Sequence, residues 1–162
     1  MRLAAITAGI VLALDQGSKL LVVHALDLKH RLAIDVIPPF FNLRMAWNRG
    51  VNFGLFAGEA EWIRWGLVAL ALAISASVWL WVRRQPPRPV VLVATGLLVG
   101  GALGNVIDRI AYGAVADFIN MSCCGFTNPY AFNIADVAIF AGAIGLVLFA
   151  GRTAPEAGDK AP

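Results

Sequence analysis

The sequence predicts an all-α membrane protein with a small β element, built on four transmembrane helices. Hydrophobic residues make up 59% of its 162 residues and charged residues only 14%, whereas soluble domains carry about 25% charged residues. The mean hydropathy is +0.74, and four separate stretches approach the length of about 20 apolar residues that a membrane-spanning helix needs. A long connection with alternating apolar residues supplies the β element.

The four predicted spans differ in length and polarity. They are expected at residues 3–25, 62–82, 90–107 and 134–150. The first begins after Arg2, as a cleaved signal peptide would, but no small-residue cleavage site follows its apolar run, so we interpret it as a retained span. The last is barely long enough to cross a bilayer, which places Asp136 near one membrane face.

Charge at the second connection predicts the orientation. The sequence RRQPPRP, residues 83–89, carries three arginines between the second and third spans, and such loops are usually cytoplasmic. Both termini are then cytoplasmic, with residues 1–151 forming one membrane domain and residues 152–162 a disordered cytoplasmic tail. The opposite side also carries positive charge, which weakens the bias: Lys29, Arg31, Arg44 and Arg49.

The two outer connections predict a small platform outside the membrane. In the first, residues 26–61, HRLAIDVIPPFFNLRMAWN alternates around a Pro-Pro break, which indicates short strands. The following RGVNFGLFAG has glycines around Phe53 and Phe56, as a short amphipathic element at the membrane surface would. The second connection, residues 109–132, contains Asp117 and two adjacent cysteines, Cys123 and Cys124, without the spacing of a zinc site.

Several polar groups stand inside the spans or at their ends. Asp15 and Lys19 are four residues apart on one helix face and can neutralise one another. Asp108 and Arg109 are adjacent at a helix end. For both pairs a purely structural role in holding helices together stays open. In the third span, glycines recur every four residues and predict a ridge for close helix packing: Gly96, Gly100 and Gly104.

Asp117 and Asp136 lack an obvious cationic partner in the local sequence. Asn133 is placed to cap the last helix, which would put Asp136 in its first turn, where the helix dipole favours a carboxylate. Two acids that share a site hold one proton between them over a useful pH range. Such a pair can hydrolyse a peptide without metal or covalent intermediate, provided that the fold brings the two together.

Other hydrolytic sites are excluded by their missing motifs. The sequence has no HExxH, and His24 and His30 lie far from the polar groups, which argues against a zinc protease. No GxSxG elbow occurs. Ser18 and Lys19 are neighbours and would point about 100° apart on a helix, so a Ser–Lys catalytic dyad would need a different serine. A net charge of +3 is too small and scattered to suggest nucleic-acid binding.

Five blocks in order resemble lipoprotein signal peptidase, also called signal peptidase II. They are LDQGSK, WNRGVNFGLF, GGALGNVIDR, VADFI and FNIADVAI, between residues 14 and 139. The resemblance implies four transmembrane helices with an extracytoplasmic β-cradle and a short surface helix. It also implies an aspartic endopeptidase of the bacterial inner membrane, active at the periplasmic face. Its substrates would be prolipoproteins, cut on the N-terminal side of a diacylglyceryl-modified cysteine.

Carried over by motif, the resemblance assigns roles to nine residues. Asp117 and Asp136 would be catalytic. The residues lining the substrate site would be Asn48, Asn105, Arg109 and Asn133, and the polar support would be Asp15, Lys19 and Asp108. The enzyme would need neither cofactor nor metal, would contact membrane lipids and is expected to be a monomer.

Two alternatives need no peptidase. A small proton-coupled transporter would use membrane carboxylates as a relay, but it needs them distributed along a path through the bilayer. Here every acid of the polar group except Asp15 gathers towards one face. A tetraspan protein without activity would use the polar pairs only for packing and leaves the five ordered blocks unexplained.

Overall fold

The computed structural model describes residues 1–50 and 60–151, and it is mostly helical with one small sheet. The helices are α1 (Arg2–Lys19, continued by a π-helical segment, Leu20–Ala25), α2 (Leu28–Arg31), α3 (Ala60–Val82), α4 (Pro89–Tyr112) and α5 (Ile134–Phe149). The strands are β1 (Ala33–Ile37), β2 (Phe41–Asn48) and β3 (Val115–Met121).

Three helices are long and apolar enough to cross a membrane within the described residues. They are Arg2–Ala25, Glu61–Val82 and Pro89–Tyr112, in agreement with the first three predicted spans. The fourth candidate, α5, has 16 residues and is therefore about 24 Å long at 1.5 Å per residue. It is shorter than the hydrocarbon core of about 30 Å, and its span stays a prediction.

Helix α4 lies at the centre and packs against α1, α3 and α5. Its glycine ridge works as the sequence predicts, because the backbone of α1 occupies the space that side chains would need. A Cβ atom at Gly100 would lie 2.6 Å from the carbonyl oxygen of Ala8, and one at Gly104 would lie 2.5 Å from Asp15 Oδ2. The ridge therefore brings α1 close enough for Asp15 to reach α4.

The sheet is antiparallel with the strand order β1-β2-β3. The strands β1 and β2 confirm the strand prediction for the first outer connection, and β3 adds a strand from the second. Leu43 pairs with Ile119 and Ala46 with Asp117, so β2 has one extra residue there, as in a β-bulge. An apolar cluster ties the sheet to the end of the first helix: Val22, Val23, Leu28, Leu43, Ala116 and Phe118.

Two predictions lie outside the described residues. The short surface helix was expected around Phe53 and Phe56, and the disordered tail at residues 152–162.

Candidate active site

The two aspartates come together where β3 meets the start of α5. Asp117 lies in β3, and Asp136 in the first turn of α5. Phe132, just before that helix, pairs with the edge of β3: its carbonyl accepts from the backbone N–H of Ile119 at 2.8 Å, and its own N–H donates to the Ile119 carbonyl at 3.0 Å. This short stretch of pairing carries the helix start to the aspartate of the strand.

Asn133 contacts both carboxylates. Its Nδ2 donates to Asp117 Oδ1 at 2.7 Å, and its backbone N–H donates to Asp136 Oδ2 at 3.2 Å. Its Oδ1 accepts from the backbone N–H of Asp136 at 2.9 Å, which completes a capping box. The predicted N-cap is therefore present, and a fully buried side chain links one aspartate to the other.

Two further asparagines complete the hydrogen bonding of the pair. Asn48 Nδ2, at the end of β2, donates to Asp117 Oδ2 at 3.1 Å. Asn105 Nδ2, on α4, donates to Asp136 Oδ1 at 2.9 Å. Among the described residues, each of the four carboxylate oxygens accepts one hydrogen bond, and the three asparagines that donate come from three different parts of the fold.

The environment raises the pKa of Asp117 to about 6. Burial of the carboxyl is the largest cause, and the negative charge of Asp136 acts in the same direction. The hydrogen bonds from Asn48 and Asn133 and the charge of Lys19 lower this pKa and oppose part of the shift. Asp117 is therefore a carboxyl that can hold a proton near neutral pH.

Arg109 lies beside this network rather than within it. Its Nη1 donates to the Asn105 carbonyl of its own helix at 3.3 Å. Together with Asn105 it lines an apolar crevice of about 280 Å³ between α3, α4 and α5, whose other walls include Leu67, Leu70 and Ile74. A second cavity, of about 320 Å³, lies against Asp117 and Asn48 on the sheet side.

Asp15, Lys19 and Asp108 form a buried charged cluster next to the pair. Lys19 Nζ lies 2.7 Å from Asp15 Oδ2 and 2.8 Å from Asp108 Oδ2. The Asp15–Lys19 pair is present as the spacing predicts, and Asp108, for which a structural role with Arg109 was left open, forms a salt bridge with Lys19. Neighbouring helix residues point about 100° apart, and Asp108 turns instead towards α1.

Sequence reasoning missed Gln16, which also belongs to this cluster. Its Nε2 donates to Asp15 Oδ2 at 3.1 Å and to Asp108 Oδ1 at 3.0 Å. A glutamine beside an aspartate is an ordinary pairing in sequence, and only the rotation of α1 against α4 gives it a role.

The charged cluster reaches the aspartate pair through the main chain. Asp15 Oδ1 accepts from the backbone N–H of Ala135 at 3.1 Å, and Asp108 Oδ2 accepts from that of Ala116 at 3.1 Å. These two alanines directly precede Asp136 and Asp117 in the sequence. One ionic cluster therefore holds both peptide segments that carry the aspartates.

The remaining polar candidates lie elsewhere. Cys123 and Cys124 are free and exposed. His30 pairs with Asp27 on an exposed turn, and His24 contacts Tyr112. Within residues 1–50 and 60–151, no group of three His, Cys, Asp or Glu side chains is arranged to hold a metal ion.

Comparisons with known proteins agree with this architecture. The family described as Signal peptidase (SPase) II matches residues 7–151. The lipoprotein signal peptidase of Methylorubrum extorquens (strain PA1) is 49% identical over 150 residues, covering 90% of this chain and 84% of that protein. The lipoprotein signal peptidase of Beijerinckia indica subsp. indica is 41% identical over 162 residues, covering 99% and 93%.

Solved structures show the same fold. One, described as a bacterial membrane enzyme determined by the in meso method at 1.9 Å resolution, has a TM-score of 0.77 and 28% identity, covering 93% of this chain and 94% of that one. Another bacterial membrane enzyme, at 2.3 Å resolution, has a TM-score of 0.75 and 26% identity, covering 98% and 93%.

Proposed function

The chain belongs to the signal peptidase II family and is a membrane peptidase that removes signal peptides in lipoprotein processing, and on that premise we propose that Asp117 and Asp136 are its catalytic pair. The observation that carries the proposal is the shared contact with Asn133, whose side chain donates to one carboxylate and whose backbone donates to the other. Two acids so linked, one of them with a raised pKa, meet the requirement for acid–base hydrolysis.

The two aspartates differ in a way that suits opposite roles. Asp117 is the protonated member, because burial and a negative neighbour disfavour its charge. Asp136 lies in the first turn of α5, where its Oδ2 accepts from the Asn133 backbone N–H, and we assign it the opposite role of the base. Asp136 then takes a proton from the attacking water, while Asp117 gives its proton to the departing amine.

The substrates we propose are prolipoproteins whose cysteine carries diacylglycerol, with cleavage on the N-terminal side of that cysteine. The apolar crevice between α3, α4 and α5 suits a hydrocarbon segment. At its polar end, Asn105 and Arg109 have N–H groups that can donate to substrate carbonyls. A substrate held this way presents its scissile bond next to Asp136.

Aromatic residues support a position in the membrane with the site at one face. Trp62 and Trp65 are exposed at the start of α3, and Trp81 is exposed at its end, as in the belts that flank a hydrocarbon core. We propose that the protein is a monomer in the bacterial inner membrane, with α5 as a fourth span. Both termini are then cytoplasmic, and the aspartate pair is periplasmic.

The test replaces each aspartate with asparagine, which has nearly the same size and shape but cannot exchange a proton as a carboxyl group does. Asp117→Asn and Asp136→Asn are each expected to lower cleavage of a diacylglyceryl-modified precursor by at least about 10³-fold, because each role of the pair is lost with its proton chemistry. Mass spectrometry of the products measures the cleavage. Asp27→Asn, which changes an exposed acid on the turn before α2, is the matched control and should cleave at the wild-type rate.

Full cleavage by either catalytic variant would refute the aspartic mechanism. Incubation with an unlipidated twin of the precursor tests the lipid requirement separately, since equal cutting of both precursors would contradict it. The alternative of a proton-coupled transporter is not supported, because the family and the matched relatives are peptidases.

A further inference from the structure

A polar groove runs over the sheet away from the aspartate pair. It has a volume of about 450 Å³ and shares Ala46, Pro129 and Ala131 with the cavity that contains Asp117. The two cavities therefore adjoin one another at these residues. Together they extend from Asp117 along β2 and β3 and beside the connection between β3 and α5.

The lining of this polar groove is rich in hydrogen-bonding groups and almost neutral. Its polar residues include Asn42, Arg44, Asn120, Ser122, Thr127 and Asn128. The guanidinium of Arg44 is neutralised by Asp35, with Nη2 2.5 Å from Oδ1. Asn42 is 6% exposed, and its Oδ1 finds no hydrogen-bond partner in the described structure. The amide, hydroxyl and neutralised guanidinium groups that line the groove suit a polar, uncharged peptide.

The other side of the pair has the opposite character. The apolar crevice is reached through Asn105, which contacts Asp136, and its walls are mostly aliphatic side chains of α3, α4 and α5. The polar groove is reached through Asp117 and lies on the sheet, outside the helices. The two paths therefore distinguish an apolar from a polar stretch of one substrate chain.

We infer that the polar groove binds the first residues of the mature lipoprotein, those that follow the lipidated cysteine, as polar and uncharged side chains in extended conformation. This inference rests on the proposed function. A signal peptide is apolar on the N-terminal side of its cleavage site, so it matches the crevice, and only the mature segment is left for the groove. The polarity of the two paths thus sets the direction in which the substrate lies across the aspartates.

The test compares a precursor that ends as an amide at the lipidated cysteine with one that continues for five mature residues. Thr127→Trp fills the groove from an exposed position outside the Asp117 cavity. It is expected to lower kcat/KM for the long precursor by about tenfold, equivalent to about 1.4 kcal/mol of lost binding. Cleavage of the short precursor should not change, which also shows that the variant is folded.

Phe126→Trp is the matched control, because it places the same ring one residue earlier, at a position that is exposed and does not line the groove. It should leave both precursors unaffected. Equal loss for both precursors in Thr127→Trp, or no loss for either, would overturn the inference. Both results would leave the catalytic proposal intact, since that proposal fails only if the aspartate variants stay active.

A second measurement uses the wild-type chain in lipid. The substrate is a long precursor whose scissile amide is replaced by a methylene-amine, with one photoreactive residue. When the photoreactive residue is at the third mature position, crosslinks are expected to residues 127–131 and β2. When it lies within the signal peptide, crosslinks are expected to Leu67, Leu70 and Ile74. The reverse pattern would refute the proposed direction.

Discussion

Asp117 has four neighbours that act on its charge in different directions, and changing one of them should therefore change its pKa. Burial and Asp136 raise the pKa to about 6, whereas the hydrogen bond from Asn48 lowers it. If protonated Asp117 is the acid, kcat/KM falls as the pH rises through about 6, because the proton donor is lost. Below that pH the donor is intact.

Removing the Asn48 donor should therefore change the pH at which kcat/KM falls on the alkaline side, the alkaline limb of the pH profile. In Asn48→Ala the carboxylate of Asp117 loses a hydrogen bond that stabilises its charged form, so its pKa rises and activity persists to higher pH. The pH profile of kcat/KM measures the shift. Gln85→Ala, in the connection between α3 and α4, should leave the profile unchanged, and a limb that moves to lower pH in Asn48→Ala would contradict the assignment.

Asp108 contacts the aspartate pair through the backbone of Ala116, from which it accepts a hydrogen bond. Two substitutions separate the effect of this hydrogen bond from the effect of the negative charge of Asp108. Asp108→Asn keeps an oxygen that can accept from the Ala116 N–H, whereas Asp108→Ala removes it. We expect Asp108→Ala to lower kcat by about 10²-fold, the effect of a misplacement of about 1 Å, and Asp108→Asn to lower it less. Steady-state kinetics with thermal midpoints tests this, and equal kcat in both variants would contradict it.

Sequence reasoning at the residue scale succeeds where partners share a helix. The Asp15–Lys19 pair and the Asn133 cap follow from spacings of four and three residues. The salt bridge between Lys19 and Asp108 and the hydrogen bond from the Ala135 N–H to Asp15 join different elements. They depend on the rotation of one helix against another, which no local pattern specifies.

At the scale of elements, the contact of α4 with α1 depends on glycine. Gly100→Ala would place a methyl group against the backbone of Ala8 and push the helices apart, at a cost of about 1–3 kcal/mol in stability. Gly9→Ala is the control, because nothing lies within 4 Å of its Cβ position. Thermal unfolding in detergent should show a lower midpoint for Gly100→Ala only. Equal midpoints would show that the ridge tolerates a wider spacing.

The predicted elements differ from the observed ones where polar residues interrupt an apolar pattern. The third span was expected to end at residue 107, but α4 continues to Tyr112, because Asp108 and Arg109 have partners within the fold and need not leave it. Strand β3 gave no clear alternation in VADFINM. It forms because β2 on one side and Phe132 on the other supply its hydrogen bonds.

For the whole molecule, the proposed orientation can be tested with the native cysteines. Cys123 and Cys124 are exposed, in the connection that follows β3, and should react with a membrane-impermeant maleimide from the periplasmic side of intact spheroplasts. In a matched variant, both cysteines are serine and Gln85 is cysteine. This variant should react only after the membrane is opened. Labelling of the second variant in intact spheroplasts would reverse the proposed topology.

The hydrogen bond from the backbone of Ala135 to Asp15 joins residues 120 positions apart. During synthesis the first helix is made with its carboxylate and lysine already in place, while the peptide group it will hold has not yet been translated. Asp117 is likewise synthesised before Asn133, the residue that donates a hydrogen bond to its carboxylate. If Asp117 and Asp136 are the catalytic pair, as proposed, a nascent chain cannot cleave a substrate until its final helix has been synthesised, and the order of translation keeps the unfinished enzyme inactive.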